Sequence, residues 1–433
     1  MHSEGEPAGS AIPGVSSRAI LLALFAVVLL AHVAYFLVMR PVYPEWGAEV
    51  IPRNGWYGIA ANVAAGRGYT LRQSLTYFQT TELIPTAARG PVPVFFLAAY
   101  IWLFSAPYYP LLVTSWLLSA GNALLIYLVT VTLTANRALA LVVALFTGLH
   151  LSEMYVNTTF SYASEPLFMH LLAWTVLLTI RALERGSFPY ATIAGLLLVA
   201  AGLARPIAVP LLAAFAILFP MVWRRRGVWL AVAACAACVA VQVPWVLRNQ
   251  AVFGRPVLTS TLGGYGLYRA AAAARDQSVS LSGWSLDLRG LHREMLSVLE
   301  DTGGTPDDVT EAEFDDVLAR EAAGIIATHR VAYIRNSALG ALGIWYWVNS
   351  GRGAYLVQNV LYYALAPIGI VVAIRGRMWR VLVLLALPAY AMVIHLPIQP
   401  QYRYMVPFTP YLFVFSALGA LSLLRGRERM TPA

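Results

Sequence analysis

From Ala19 to Met39 the chain carries no charged residue. A helix of about 20 apolar residues spans the roughly 30 Å of hydrocarbon in a bilayer. This character extends along the chain: 59% of its 433 residues are hydrophobic and only 12% are charged, with a mean hydropathy of +0.66. Soluble domains carry about 25% charge. The sequence therefore reads as an all-α, polytopic membrane protein. Its first apolar run is too long for the core of a cleaved signal peptide, and no small-residue cleavage site follows it, so it reads as a retained signal-anchor.

The net charge is +9, and all 30 basic residues are arginine. Absence of lysine is ascribed to GC-rich codon usage. The basic excess does not indicate nucleic-acid binding, because the arginines have a topological explanation. Arginine-rich connections belong on the cytoplasmic side. Arg137, Arg181–Arg185, Arg224–Arg226, Arg375–Arg380 and Arg425–Arg429 fit that role. With these inside, spans are expected at 19–39, 109–134, 138–156, 164–181, 190–207, 208–223, 228–246, 354–374, 381–396 and 407–424, about ten crossings. Pro91–Ser105 and Val331–Trp347 then read as helices lying on the outer surface. The implied division is a cytoplasmic tail (1–18), a transmembrane core (19–246) whose first outer loop is 40–108, an outer region (247–353), C-terminal spans (354–424) and a second cytoplasmic tail (425–433). The only cysteines, Cys235 and Cys238, sit inside an apolar helix and read as packing residues rather than a redox pair.

Polar groups scattered along the sequence converge on one face in this topology. The first loop supplies Glu45, Glu49, Asn54, Tyr57, Glu82 and Arg89. Glu165-Pro166 opens a span, and Arg205-Pro206, Arg248 and Arg403 stand at outer helix ends. Within 247–353, the acidic stretch from Asp307 to Asp316 reads as a solvated helix face. Thr310 and Glu313 have the spacing of a capping box that opens a helix of roughly 15–20 residues. His150 and His170 read as interhelical hydrogen-bonding residues. Walker A, H-E-x-x-H and G-x-S-x-G motifs are absent from the sequence, and no His/Cys cluster has metal-ligand spacing. Acids and arginines at the outer interface remain. The guanidinium suits bidentate recognition of phosphate, and a nearby carboxylate can take a proton from an attacking hydroxyl. That pairing suits a transfer reaction with a lipid phosphate as leaving group.

The order of motifs resembles that of membrane glycosyltransferases of the GT-C type, in the branch of protein O-mannosyltransferases and aminoarabinose transferases. Tyr57 and Ala60 followed by Gly66-Arg67-Gly68-Tyr69 look like the family's first-loop signature, and Pro85-Thr86-Ala87-Ala88-Arg89-Gly90-Pro91 like its proline-rich segment. Ser164-Glu165-Pro166-Leu167-Phe168, Leu203-Ala204-Arg205-Pro206, Pro244-Trp245 with Arg248-Asn249, Phe253-Gly254 and Ser260-Thr261-Leu262-Gly263-Gly264, and Arg403-Tyr404 with Pro407 follow in order. The resemblance implies a GT-C fold with a mostly helical outer loop. It also implies inverting transfer of a sugar from a polyprenyl-phosphate donor, at the outer leaflet of a bacterial plasma membrane.

In the family a first-loop Asp before the Tyr is the presumed base, but Asn54 stands near that position here. The base is then expected among Glu49, Glu45 and Glu82, with Glu49 first. The resemblance implies donor phosphate binding by Arg89, Arg248 and Arg403 with support from Arg205, and a positioning role for Glu165. Asn54, Tyr57, Glu82, Tyr265 and Tyr404 are expected at the sugar and acceptor. A lipid, glycan or protein acceptor and membrane lipids are the expected partners. No motif calls for a cofactor; a divalent metal would suit the chemistry, but no motif indicates one. A polymerase or ligase of undecaprenyl-linked glycans, or a transporter, are the alternative readings.

Overall fold

The computed structural model describes residues 17–43, 55–74, 78–104, 107–280, 283–284, 287–304, 309–343, 353–398 and 402–428. Helix α1 (Ser17–Met39) is followed by α2 (Gly55–Ala64), an antiparallel hairpin of β1 (Thr70–Ser74) and β2 (Phe78–Pro85), and α3 (Pro91–Leu103). The described residues between 55 and 104 therefore form helices and a hairpin rather than a polar loop, and the fold is not wholly α-helical. Thr70, Phe78, Thr80, Thr81 and Ile84 are the β-branched and aromatic types that suit paired strands, a local signal that the search for helical periodicity passes over. Pro91 opens α3 at a position where a missing N–H costs nothing.

Next come α4 (Tyr108–Thr134), α5 (Arg137–Gly148), α6 (Leu151–Thr159), α7 (Glu165–Arg185), α8 (Phe188–Ala204) and α9 (Leu212–Phe253). Helices α5 and α6 meet at a 46° bend. The long α9 breaks at Arg224, whose φ of 47° and ψ of −124° are non-helical. That break falls between the expected spans 208–223 and 228–246. The region expected on the outer side holds α10 (Gly263–Arg275), a short ladder of β3 (Val279–Ser280) and β4 (Gly283–Trp284), α11 (Leu288–Asp301), α12 (Glu311–Thr328) and α13 (Arg330–Gly343). Helices α14 (Gly353–Arg375), α15 (Trp379–Leu382), α16 (Ala386–His395) and α17 (Thr409–Glu428) complete the described chain.

Among the described residues, 5 helical stretches are long and apolar enough to cross a membrane: Arg18–Met39, Tyr108–Thr134, Glu165–Arg185, Pro206–Phe253 and Val357–Arg375. The bent α5–α6 pair makes a sixth if it is one span. Phe188–Ala204, Trp379–His395 and Thr409–Leu424 are apolar helices of shorter length. The chain is a multi-pass membrane protein by this measure. Its main core gathers around Phe168, Phe408, Tyr411, Phe413 and Phe415. Against α14, a Cβ on Gly369 would lie 1.8 Å from Phe415 O, so only small residues permit this helix approach.

The histidine and cysteine expectations hold in the packing. His150 Nε2 pairs with Asn359 Oδ1 at 2.8 Å and His170 Nδ1 with Asn122 Oδ1 at 3.0 Å, both between helices. Cys238 Sγ donates to Gly195 O on α8 at 3.0 Å, which makes it a packing thiol. The Thr310–Glu313 capping box forms and opens α12, a helix of 18 residues. The acidic stretch is not simply a solvated face. Glu311 is buried, Asp315 accepts from Tyr265 N at 2.9 Å, and Asp316 pairs with Arg255. These acids face groups far away in sequence, which local spacing does not reveal.

Candidate functional site

A cavity of about 530 Å³ opens where the first outer segment, the start of α7, the end of α8, α10 and the 402–404 turn meet. Its charged lining consists of Arg89, Glu165, Arg205, Arg269 and Arg403, with Trp56, Tyr265, His395 and Tyr404 as the aromatic walls.

Backbone breaks place these side chains. Pro206 disfavours a helical conformation in the residue before it. Arg205 is accordingly extended (φ −144°, ψ 120°), caps α8 and turns its side chain into the cavity. Glu165 is the first residue of α7, followed at once by Pro166. Arg403 lies in a single 3₁₀ turn, Tyr402–Tyr404. Arg89 sits between the Pro85 end of β2 and the Pro91 start of α3, next to Gly90. A Cβ on Gly90 would fall 1.9 Å from Leu203 O, so the Arg89 segment can lie this close to the end of α8 only with glycine there.

Glu165 Oε1 is 3.3 Å from Arg205 Nη1 and 3.4 Å from Arg403 Nη1, so two guanidiniums share one carboxylate oxygen. The Glu165 side chain is only 2% exposed. Arg205 lies 4.9 Å over the Tyr404 ring and Arg403 lies 4.7 Å over Phe160. His395 stacks on Tyr404 with centroids 5.1 Å apart. Its Nδ1 meets Ala391 O at 2.6 Å, which assigns Nδ1 as a protonated, donating nitrogen. Burial works against the Arg403 charge, yet Glu165 outweighs it and raises the pKa of that guanidinium. Burial likewise pushes the Tyr404 hydroxyl up, but Arg403, Arg205 and Arg269 more than offset this and hold it below the usual phenol value. The site is thus strongly electropositive around Tyr404. Arg89 stacks over Trp56 at 3.8 Å.

Arg248 does not line the cavity. Its guanidinium donates to Thr86 O at 2.8 Å, to Tyr69 O at 3.0 Å and to Asn249 Oδ1 at 2.9 Å. It braces the Pro85–Pro91 segment instead, and Tyr69 adds a 2.7 Å bond from its hydroxyl to Arg89 O. Tyr57 packs on α2 beside the cluster around Ile59 and Tyr35 rather than in the cavity. Glu45, Glu49 and Asn54 lie outside the described residues, as does the side chain of Glu82 on β2. Of the expected site residues, the fold brings together Arg89, Glu165, Arg205, Tyr265, Arg403 and Tyr404.

Trp56 and His395 were not among the expected site residues, and Arg269 was expected only as the end of the stretch 260–269 that shapes the acceptor site. Trp56 adjoins the Tyr57 of the first-loop signature. Tyr265 and Arg269 stand at i, i+4 on α10, so they share a helix face, and Arg269 lies 5.4 Å over the Tyr265 ring. That spacing was the available signal. Among the described residues, no three acids, histidines or cysteines gather to hold a metal ion.

A bundle of long apolar helices, a helical module over 263–343 and an arginine-lined cavity where the two meet are the arrangement of the GT-C fold, which the solved structures below share. No family model matches the chain, and no curated protein matches it. The solved structures with this fold include the archaeal oligosaccharyltransferase AglB from Archaeoglobus fulgidus in complex with an inhibitory peptide and a dolichol-phosphate (TM-score 0.51, 13% identity, 96% of this chain and 52% of that one). The Archaeoglobus fulgidus oligosaccharyltransferase tethered to an acceptor peptide with the NVT sequon gives 0.53 and 14%, over 95% of this chain and 50% of that one. Its apo form gives 0.52 and 14%, over 94% and 52%. The chain spans about half the length of these proteins, which are glycosyltransferases. The likeness is one of fold and does not extend to the GT-C branch named by the motifs.

Proposed function

We propose that this chain is an inverting membrane glycosyltransferase. It takes a sugar from a polyprenyl-phosphate carrier and gives it to an acceptor at the outer, periplasmic leaflet of a bacterial plasma membrane. The reading takes about ten crossings, the shorter and bent helices included, with the arginine-rich connections inside and the cavity on the opposite side. The observation that carries the reading is the convergence of Arg205, Arg403 and Glu165, from three distant parts of the chain, on one cavity that Arg89 also lines. Guanidiniums grip phosphate oxygens bidentately and stabilise the charge that develops as a phosphate leaves. The complex of an oligosaccharyltransferase of this fold with dolichol-phosphate and a peptide supports a lipid-linked donor.

In this reading Arg403, Arg205 and Arg89 hold the donor phosphate, Arg248 positions the Arg89 segment, and Glu165 orients Arg205 and Arg403. Because two guanidiniums engage its carboxylate, Glu165 serves to position rather than to accept a proton. Inversion requires the acceptor hydroxyl to attack from the face opposite the phosphate, with a carboxylate to take its proton. Glu49 is the first choice for that base and Glu45 the second. Tyr265 and Tyr404 contact the sugar or acceptor, together with Asn54 and Glu82 of the first segment. The acceptor is a lipid, a glycan or a protein. The test is sugar transfer from a defined polyprenyl-phosphate donor by Glu49→Gln, Glu45→Gln and Arg403→Ala. Loss in the arginine variant and in one glutamate variant is expected; full rates in all three would sink the site.

A further inference from the structure

Glu153 is the only acid in the bent α5–α6 pair, and the transfer chemistry makes no use of it. Ionisable groups inside a membrane bundle are rare and mark ion or substrate paths. Glu153 is fully buried, and it stands in the first turn of α6, where the helix dipole favours a charged carboxylate. Ser119 Oγ on α4 donates to Glu153 Oε1 at 2.9 Å. Among the described residues Glu153 Oε2 has no hydrogen-bond partner, and the carboxylate forms no ion pair. A buried carboxylate in that state is costly unless a positive charge joins it.

Neutral oxygens gather around it. Glu153 and Asn157 stand at i, i+4 on α6, and Ser115 and Ser119 at i, i+4 on α4, so each pair shares a helix face. The two faces meet, since Ser119 bonds Glu153 and Ser115 Oγ donates to Asn157 O at 2.6 Å. The Asn157 amide lies beside the Glu153 carboxylate but completes no hydrogen bond there: its Oδ1 and Nδ2 are both buried without a partner among the described residues. Ser161, whose buried hydroxyl is also unmatched, follows toward Ser164 and Glu165 of the cavity wall.

We propose that Glu153, Asn157, Ser115 and Ser119 form a site for one alkali-metal cation between α4 and α6. All the donors are oxygens, which suit hard cations rather than transition metals. One carboxylate balances one positive charge, whereas a divalent ion leaves a buried excess. Asn157 Oδ1 is an open acceptor, and both serine hydroxyls keep lone pairs after donating their hydrogens. Ser161 and Ser164 give the ion a polar route from the cavity. The bound ion ties α6 to α4. Phe160, which closes α6, lies under Arg403 at 4.7 Å, and Val156 packs with Val406. The site therefore steadies the wall on which a cavity arginine rests, whatever donor and acceptor the cavity takes.

The experiment measures binding of radioactive sodium, and of radioactive rubidium as a stand-in for potassium, to the full chain in nanodiscs, with choline chloride holding the ionic strength constant. Saturable uptake of one ion per chain is expected for at least one of the two. Glu153→Gln keeps the shape and removes the charge, and should weaken binding by about tenfold or more, the worth of one charge-assisted contact. Ser119→Ala should weaken it less. The melting temperature gives a second reading: the bound alkali ion raises it over choline in the unaltered chain, because a ligand of the folded state stabilises that state. Glu153→Gln should melt alike in both salts. A merely structural Glu153 would change melting equally in every salt and leave no alkali response to lose. Uptake of neither ion by the unaltered, folded chain overturns the site and assigns Glu153 as a protonated acid solvated by internal water. Equal uptake by Glu153→Gln also overturns it, because the ion then sits elsewhere. Should Glu153→Gln fail to fold, Asn157→Asp replaces it. The second carboxylate should let calcium compete with the alkali ion, and calcium that does not compete overturns the place of Asn157 in the site.

Discussion

Thr86 Oγ1 donates a 2.6 Å hydrogen bond to the Glu311 carboxylate across 225 residues of sequence, and both residues are buried. The same hydroxyl accepts from Ala88 N at 3.0 Å, and the Thr86 carbonyl accepts from Arg248 at 2.8 Å. One threonine thus ties the segment that carries Arg89 to the start of α12 and to the end of α9. Thr86→Val keeps the shape and removes the donor, which leaves the Glu311 carboxylate buried with one partner fewer. The expected cost is about 1–3 kcal/mol, read as a lower melting temperature in detergent. Glu311→Gln keeps an acceptor for Thr86 and should lose less. Two variants that melt with the unaltered protein would show that this link does not hold the segment.

The membrane class and six cavity residues were legible in the sequence because their signals are local. Arg205-Pro206 and Glu165-Pro166 announce a helix end and a helix start whatever the rest of the chain does. The use of Arg248 was not legible. Its carbonyl partners on Tyr69 and Thr86 come from the first outer segment, and only the tertiary fold sets that contact. Glu311 was hidden for the same reason, since an acid at the first position of a capped helix reads locally as solvated. Arg269 was marked only by its i, i+4 spacing from Tyr265 on α10.

Gly90 supports a sharper steric test. Its Cβ would meet Leu203 O at 1.9 Å, and Leu203 stands two residues before Arg205. Gly90→Ala must therefore push the Arg89 segment away from the end of α8, separating two arginines that line one cavity. Overpacking of this kind costs about 1–3 kcal/mol. The expected result is lower stability together with weakened binding of farnesyl phosphate. Unchanged binding in a destabilised variant would show that the spacing of Arg89 and Arg205 is not what the ligand reads.

The pH response of the outer module follows from Glu294. Arg275 bonds both of its oxygens, at 2.5 and 2.9 Å, and holds the Glu294 carboxyl below its ordinary value despite burial that works the other way. A carboxylate with a lowered folded-state pKa gives stability that is fully present above the unfolded value and is lost as pH falls through the folded one. The α10–α12 module should therefore loosen only below about pH 4, the ordinary glutamate range. Hydrogen exchange in α10 and α11, followed from pH 7 downward, should show that onset. In Glu294→Gln the acid-dependent part should vanish, with faster exchange already at neutral pH. An onset of equal size in the variant would assign the acid sensitivity to other groups.

Glu165 sets the charge balance of the cavity, and its removal separates stability from ligand affinity. Glu165→Gln leaves Arg205 and Arg403 facing one another without the carboxylate that both now share at 3.3 and 3.4 Å. Removing one partner of a buried ion pair costs about 3–5 kcal/mol, and the partial exposure of Arg403 places this case at the lower end. The unliganded variant should melt well below the unaltered protein. An added anion should then return more of the loss than it gives the unaltered chain, because a ligand stabilises the folded state in proportion to its affinity there. Pyrophosphate titrated against the melting temperature checks this: the expected upward shift is larger in Glu165→Gln than in the unaltered protein. A smaller shift would mean that Glu165 is needed to aim the two guanidiniums, and that their geometry, more than their net charge, is what holds the phosphate.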